Sequence, residues 1–461
     1  MTDGAAGPRV NPRLVRSYDL RGVVGRDLTA NDARALGLCV AGTVLARGGR
    51  RVGVGYDGRL SSPSLAAALS DGLAAGGTTA VGIGLGPTGM LYYAVHAQAL
   101  DAGVMVTGSH NPADQNGFKI VIGGEPLFGE ALRALVEGEA VEVSGGAVET
   151  LAVENAYVAR LVEAAAGAAA LRVGWDPGNG ATGTVMRRLA AMLPGEHRLI
   201  NAEINGGFPA HHPDPSVPAN LAQLQALVQD EQLDLGIAFD GDGDRIGVVD
   251  GEGKIVWADQ LMLLLAREML RDHPGAAIVG DVKSSRVLFD GIADAGGRAV
   301  VSPSGYVLVR EAMLRAGAPL AGEMSGHIFY ADRWYGTDDA LHVAMRLLAA
   351  LGRSGESLAA FRRSLPQTYA TPELRLPCAD HEKPAVLDAV AAGLAADGAM
   401  VDRTDGLRVT APDGWWLLRA SGTEPKLTAR VEAWSEAGLT RLRGELDHRL
   451  SDAGWSAATS A

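Results

Sequence analysis

The sequence predicts an α/β protein of three or four domains, the last of different architecture from those before it. Three observations carry this expectation. The chain has 461 residues, and at roughly 100–200 residues per domain that is room for several separately packed cores. A short apolar run, a glycine-rich turn bearing Asp, Ser or His, and a helical segment follow one another repeatedly, and strands alternating with helices build α/β layers. Near the end, residues 406–410 (GLRVT) and 427–432 (LTARVE) alternate apolar and polar instead, as half-exposed antiparallel strands do.

In chain order, the runs 51–57 (RVGVGYD), 102–108 (AGVMVTG), 171–176 (LRVGWD), 234–240 (DLGIAFD), 276–281 (AAIVGD) and 318–323 (APLAGE) read as buried strands bounded by Gly and acidic residues. Residues 72–100 carry no Asp, Glu, Lys or Arg, but Gly76, Gly77, Gly82, Gly84, Gly86, Pro87 and Gly89 interrupt them. A spanning helix needs ~20 mainly apolar residues, so this stretch is expected to be a helix end, a buried strand and a glycine loop. Residues 261–270 and 341–351 keep the 3.6-residue apolar period of helices. Small acidic residues over 138–150, the Gly251-Glu-Gly253 turn and the proline-bearing stretch 366–377 divide the chain into 1–150, 151–253, 254–366 and 367–461.

Composition narrows the function classes. Hydrophobic residues make 47% and charged residues 21% of the chain, ordinary values for a globular protein. The 61 glycines are about twice the usual share of ~7%, and without a collagen-like period they belong to turns and close backbone approaches. A net charge of −13 argues against nucleic acid or an anionic membrane as the partner. Cys39 and Cys378 are the only cysteines, which excludes a disulfide scaffold and a cysteine zinc site. Arg9, Arg13 and Arg16 interrupt the amino terminus, so no signal peptide is read there. A soluble cytoplasmic protein is expected.

Four constellations carry chemistry. Asp240-Gly-Asp242-Gly-Asp244-Arg245 follows an apolar strand, and three carboxylates at alternate positions can turn their oxygens to one hard cation. An EF-hand is excluded: Arg245 stands where that loop needs Gly, and Gly251 where it needs Glu. Without a cation, the carboxylates of a merely solvated turn would repel one another. Thr107-Gly108-Ser109-His110-Asn111-Pro112 is not a hydrolase nucleophile elbow. Adjacent side chains seldom point the same way, so His110 need not serve Ser109 as base. The serine fits a phosphoryl acceptor, and Lys119 downstream fits charge neutralisation, or proton shuttling if burial lowers its pKa. Gly322-Glu323-Met324-Ser325-Gly326-His327 alternates acceptors and donors between glycines. On an extended loop Glu323, Ser325 and His327 would face one polyhydroxylated ligand, the plainer reading being a strand end with a core histidine. Arg419-Ala420-Ser421-Gly422-Thr423-Glu424-Pro425 combines a guanidinium, hydroxyls and turn amides in an anion nest. Tyr18-Asp-Leu-Arg21-Gly22 and Asp281-Val-Lys283 add basic residues at turns; alone, each reads as a surface or salt-bridge feature.

Taken together, in this order and spacing, these motifs resemble the α-D-phosphohexomutase superfamily, and most closely its bacterial phosphomannomutase/phosphoglucomutase branch, over about residues 18–432. The resemblance implies four domains around a central cleft: three related mixed-sheet α/β domains and a smaller C-terminal α+β domain with an antiparallel sheet. It implies a phosphorylated Ser109 that shares a Mg²⁺ ion with Asp240, Asp242 and Asp244. His110, Lys119 and Arg245 would surround the transferring group. Glu323, Met324, Ser325 and Gly326 would meet the sugar, with His327 as an acid/base candidate. Arg419, Ala420, Ser421, Gly422 and Thr423 would grip the phosphate that is not reacting, and Tyr18, Arg21 and Lys283 would line the cleft. Hexose 1-phosphate and hexose 6-phosphate, of mannose and glucose, would interconvert through a hexose 1,6-bisphosphate. One stretch departs: relatives usually read Lys-Thr-Gly-His where this chain has Pro303-Ser304-Gly305-Tyr306. Tyr306 can donate a hydrogen bond there but carries no charge near neutral pH. A phosphoglucosamine mutase with the same chemistry, or a non-catalytic sugar-phosphate-binding protein, are the alternative readings. The resemblance implies small sugar phosphates as the only partners and fixes no oligomeric state.

Overall fold

The glycine-punctuated apolar runs form strands where the sequence places them: Arg51–Tyr56, Ala102–Val106, Leu171–Asp176, Leu235–Phe239, Ala277–Asp281 and Leu320–Gly322. These belong to a computed structural model that describes residues 9–422 and 425–455. Their side chains are almost entirely buried on both faces, as strands between helical layers must be.

Three mixed sheets repeat one core. In the second, Ile246–Asp250 pairs antiparallel with Leu235–Phe239, which pairs parallel with Leu171–Asp176, which pairs parallel with Gly195–Leu199. The third repeats this with Ile328–Tyr330, Leu320–Gly322, Ala277–Asp281 and Arg298–Ser302. The first repeats it with Gln115–Ile122, Ala102–Val106, Arg51–Tyr56 and Thr79–Leu85, and adds Leu20–Val23 and Ala147–Thr150 at its edges. Ser109, Asp240 and Glu323 therefore leave the carboxyl end of the same strand of the repeat, where ligands of such sheets gather. The largest hydrophobic cluster extends from Val81 to Leu365, so the three units share a continuous core.

The fourth sheet is antiparallel throughout, with Lys426–Ala433, Gly414–Ala420 and Leu407–Ala411 at its centre. Its central strands are not half exposed as their alternation suggests. Helices Lys383–Ala396 and Glu436–Asp452 pack on one face, and on the other Trp415 and Leu417 meet Val282 of the third unit. A second difference lies in residues 72–100. The expected helix end and strand are there, but Thr88–Ala97 is a helix and not a loop. It is buried nearly all round and so lacks the polar face by which a helix is read. Among the described residues, no helix is long and apolar enough to cross a membrane.

Candidate active site

Ser109 sits at φ 48°, in the left-handed region that a non-glycine residue seldom occupies. Its loop is held there from behind. Asp57, fully buried, accepts from Gly108 N at 3.1 Å and Thr107 Oγ1 at 2.8 Å. Arg59, also buried, donates to the carbonyls of Ser109, Asn111, Pro112 and Gln115 at 2.6–2.9 Å. Gly108 leaves the space this requires, since a Cβ there would lie 2.3 Å from Arg59 Nε. The turned backbone brings His110 Nδ1 to 3.1 Å from Ser109 Oγ, so the neighbouring side chains do converge, against the sequence expectation. Burial first, then Arg245 and Arg21, push the His110 imidazole well below its usual range and keep it neutral.

The acidic loop meets this serine directly: Ser109 Oγ donates to Asp240 Oδ2 at 2.7 Å. Asp240 Oδ1 accepts the amides of Asp244 and Arg245, and Gly243 takes a φ of 73°, which closes the loop and gathers the three carboxylates within 4.8 Å of one another. All three aspartates are fully buried. Asp242 Oδ1 and Asp244 Oδ1 have no hydrogen-bond partner. Orphaned, hard carboxylate oxygens converging in one place fit an oxygen-seeking divalent cation.

Lys119 Nζ donates to Asp242 Oδ2 at 2.7 Å and also to Asp244 Oδ2. Burial would lower its pKa, but the two carboxylates raise it well above the usual value; Lys119 is thus an ammonium, not the lowered-pKa proton shuttle considered from the sequence. Burial favours a neutral Asp242 as well, yet Lys119, Thr88 and Arg21 outweigh it and keep it ionised. Burial, then Asp242 and Asp244, push Asp240 up.

Residues 323–326 form a turn closed by Gly326 N on the Glu323 carbonyl, not an extended loop. Ser325 Oγ donates to Glu323 Oε1. The His327 ring is bonded elsewhere. Its Nε2 accepts from Arg245 Nε at 2.9 Å, so Nδ1 carries the ring proton and lies 2.8 Å from Asp338 Oδ2. Both nitrogens are engaged in this arrangement, and the ring orients Arg245. Tyr306 stacks on this ring at 5.4 Å.

A cleft of about 1810 Å³ is lined by all four units. The residues read from the sequence that line it are Tyr18, Arg21, Ser109, His110, Lys119, Arg245, Lys283, Tyr306, Glu323, Met324, Ser325, His327, Arg419, Ser421 and Gly422. The three aspartates are buried behind Ser109. Gly326 is pressed against the Ile246 backbone with φ 95°, and Ala420 lines a separate small hollow with Pro384 and Leu387; neither lines the cleft. Thr423 lies outside the described residues. Sequence reasoning missed Arg59, Thr88, Asp338 and Asp405, whose contacts with Ser109, Asp242, His327 and Arg419 span 50, 154, 11 and 14 positions. Asp57 alone gave a signal, ending a strand run.

Comparison with known proteins matches most of the chain. Phosphoglucomutase/phosphomannomutase family models match in order: alpha/beta/alpha domain I over residues 12–140, domain II over 155–253, domain III over 257–369 and the C-terminal domain over 373–449. A phosphomannomutase/phosphoglucomutase of Pseudomonas putida is 42% identical, covering 93% of this chain and 94% of its own. That of Pseudomonas aeruginosa is 40% identical over 97% of each. A crystal structure of a phosphoglucomutase/phosphomannomutase family protein from Burkholderia thailandensis aligns with a TM-score of 0.90 at 39% identity, covering 96% of this chain and 98% of that one.

Proposed function

The chain belongs to the phosphoglucomutase/phosphomannomutase family and is an isomerase that interconverts hexose phosphates, and we propose that it does so with Ser109 as the phosphoryl carrier, on glucose and mannose phosphates alike. The carrying observation is the 2.7 Å contact between Ser109 Oγ, which lines the cleft, and Asp240 Oδ2 buried behind it. Phospho-Ser109 gives its PO₃ group to the free hydroxyl of a hexose monophosphate: the serine O–P bond breaks as the sugar O–P bond forms, leaving a hexose 1,6-bisphosphate. The sugar hydroxyl's proton passes to His110, whose Nδ1 lies 3.1 Å from Ser109 Oγ, and returns to that oxygen. The bisphosphate turns end for end in the cleft, and its other phosphate is handed back to Ser109.

Asp240, Asp242 and Asp244 would hold Mg²⁺ with the Ser109 phosphate; bound there, the ion supplies positive charge against the phosphoryl oxygens. Lys119, Arg245 and Arg21 add further positive charge, suited to a loose transition state that depends on positioning and electrostatics. Glu323 and Ser325 present a carboxylate and a hydroxyl to the sugar, and Arg419 with the Ser421–Gly422 backbone offers a grip for the distal phosphate.

Intact-mass measurement of the purified protein is expected to find one phosphate that the Ser109→Ala variant lacks. That variant is expected to lose turnover while still binding glucose 6-phosphate. Wild-type-like turnover without the hydroxyl would reject the covalent scheme.

A further inference from the structure

We infer that Asp405 is a positioning residue that aims Arg419 at the distal phosphate and latches the last unit across the cleft, a role that rests on the phosphate-gripping reading of Arg419. Asp405 lies in the turn between Val401–Asp402 and Leu407–Ala411. The next residue, Gly406, adopts φ 82°, and a Cβ there would come within 2.3 Å of the Leu418 carbonyl and 2.7 Å of Arg419 Cβ. Only glycine lets this turn press against the end of the neighbouring strand, and that closeness sets Asp405 beside Arg419.

Asp405 Oδ2 accepts from Arg419 Nε at 2.8 Å and from Ser304 N at 3.0 Å. The first contact uses the inner nitrogen of the guanidinium, which fixes its plane and leaves the two terminal nitrogens as a fork for phosphate oxygens. The second ties the last unit to the third through a main-chain amide.

Ser304 is a junction. Its amide goes to Asp405, while its carbonyl accepts from Tyr18 Oη of the first unit at 3.3 Å. The next amide, Gly305 N, donates to Glu323 Oε2 at 3.0 Å. Gly305, at φ 134°, leaves room for Tyr18 to lie across it, since a Cβ would sit 2.3 Å from Tyr18 Oη. Two consecutive peptide groups thus join the first unit, the sugar-facing carboxylate and the phosphate-gripping arginine. Ser17 Oγ adds a second strap to the Gly422 carbonyl at 2.8 Å. A substrate phosphate that orders Arg419 thereby also steadies Asp405, the 304–305 backbone and Glu323, and a bisphosphate turning over beneath them is kept in.

The test uses the full chain as Asp405→Ala and Asp405→Asn. Calorimetric titration with glucose 6-phosphate needs no phosphoserine and reads the grip alone: Kd is expected to rise about tenfold in Asp405→Ala, the size of one lost charge-assisted contact, and by less in Asp405→Asn, which still accepts from Ser304 N. On labelled phosphoenzyme given saturating glucose 1-phosphate, the first transfer is expected to keep its wild-type rate while escape of labelled bisphosphate rises several-fold. Wild-type Kd and escape in both variants would overturn the inference. So would a first transfer slowed as much as overall turnover, because Asp405 would then support the reacting centre or the fold. A wild-type serine that takes up no label would overturn the phosphoserine scheme, with the Kd comparison still deciding the role of Asp405.

Discussion

Asp242 has two oxygens in opposite circumstances. Its Oδ2 accepts from Lys119 Nζ and Thr88 Oγ1, each at 2.7 Å, while Oδ1 is buried without a partner. Thr88 also donates its amide to the Asp242 carbonyl at 2.8 Å, so one threonine fixes both main chain and side chain of a candidate metal ligand. Partners behind a ligand typically change metal affinity by about 10–100-fold when removed. Thr88→Val keeps shape and volume, and is expected to weaken Mg²⁺ binding by about tenfold in a calorimetric titration without altering the far-ultraviolet spectrum. Unchanged affinity would show that the carboxylate needs no such support. The contrast with the carboxylates themselves marks what a sequence can disclose. Asp240, Asp242 and Asp244 stand at alternate positions of one turn, so their convergence can be read locally. Thr88 is 154 positions from Asp242, in a stretch without charges, and only the folded chain makes them neighbours. Asp338 is only 11 positions from His327, yet nothing near it hints that it holds that ring.

Strands that end in polar turns were legible as elements because each carries its own signal: apolar run, glycine, acidic residue. Two of the acidic residues turn out to have a common use. Asp57 accepts from Gly108 N at 3.1 Å and Asp281 from Met324 N at 3.3 Å; each braces the loop that leaves the adjacent parallel strand. What covers an element was not legible. The alternation in the last sheet promised a solvent face, but that face carries Trp415, Leu417, Arg408 and Glu432 and docks on the third unit. Arg408 lies 3.9 Å over the Trp415 ring and donates to the carbonyls of Val282 and Ser284. Burial lowers its pKa to about 10, so it stays charged at neutral pH. Glu432 Oε1 accepts from Trp415 Nε1, Ser285 Oγ and Arg286 N. Removing one member of a buried charged network costs about 3–5 kcal/mol. Arg408→Ala is accordingly expected to loosen the 282–286 segment that carries Lys283, read as faster amide hydrogen exchange in that peptide. Exchange as slow as in the wild type would mean that the sheet docks by its apolar residues alone.

At the scale of the molecule, the first three units meet at one buried carboxylate. Asp339 caps helix Ala340–Ser354 through His342 N at 3.1 Å and accepts Tyr157 Oη of the second unit at 2.8 Å. Helix Thr88–Ala97 of the first unit comes so close that a Cβ on Gly89 would lie 2.3 Å from Asp339 Oδ2. The Ala340 amide donates to the Gly243 carbonyl in the acidic loop at 3.2 Å, which links this junction to the site. Burial is the main force that raises the Asp339 pKa to about 7, with Asp338 adding to it. An unfolded Asp titrates near ~3.9. Between these values the folded state holds a proton that the unfolded chain has lost, so stability falls as pH rises through the window and levels off above pH ~7. At about 1.4 kcal/mol per unit the whole loss is on the order of 4 kcal/mol. Asparagine is an equally good helix cap and cannot ionise. Asp339→Asn is therefore expected to exceed the wild-type melting temperature by several degrees at pH 8 and by clearly less at pH 5. The same gap between the two proteins at both pH values would mean that Asp339 does not change its charge in that range, and that the junction holds a carboxylate from the start.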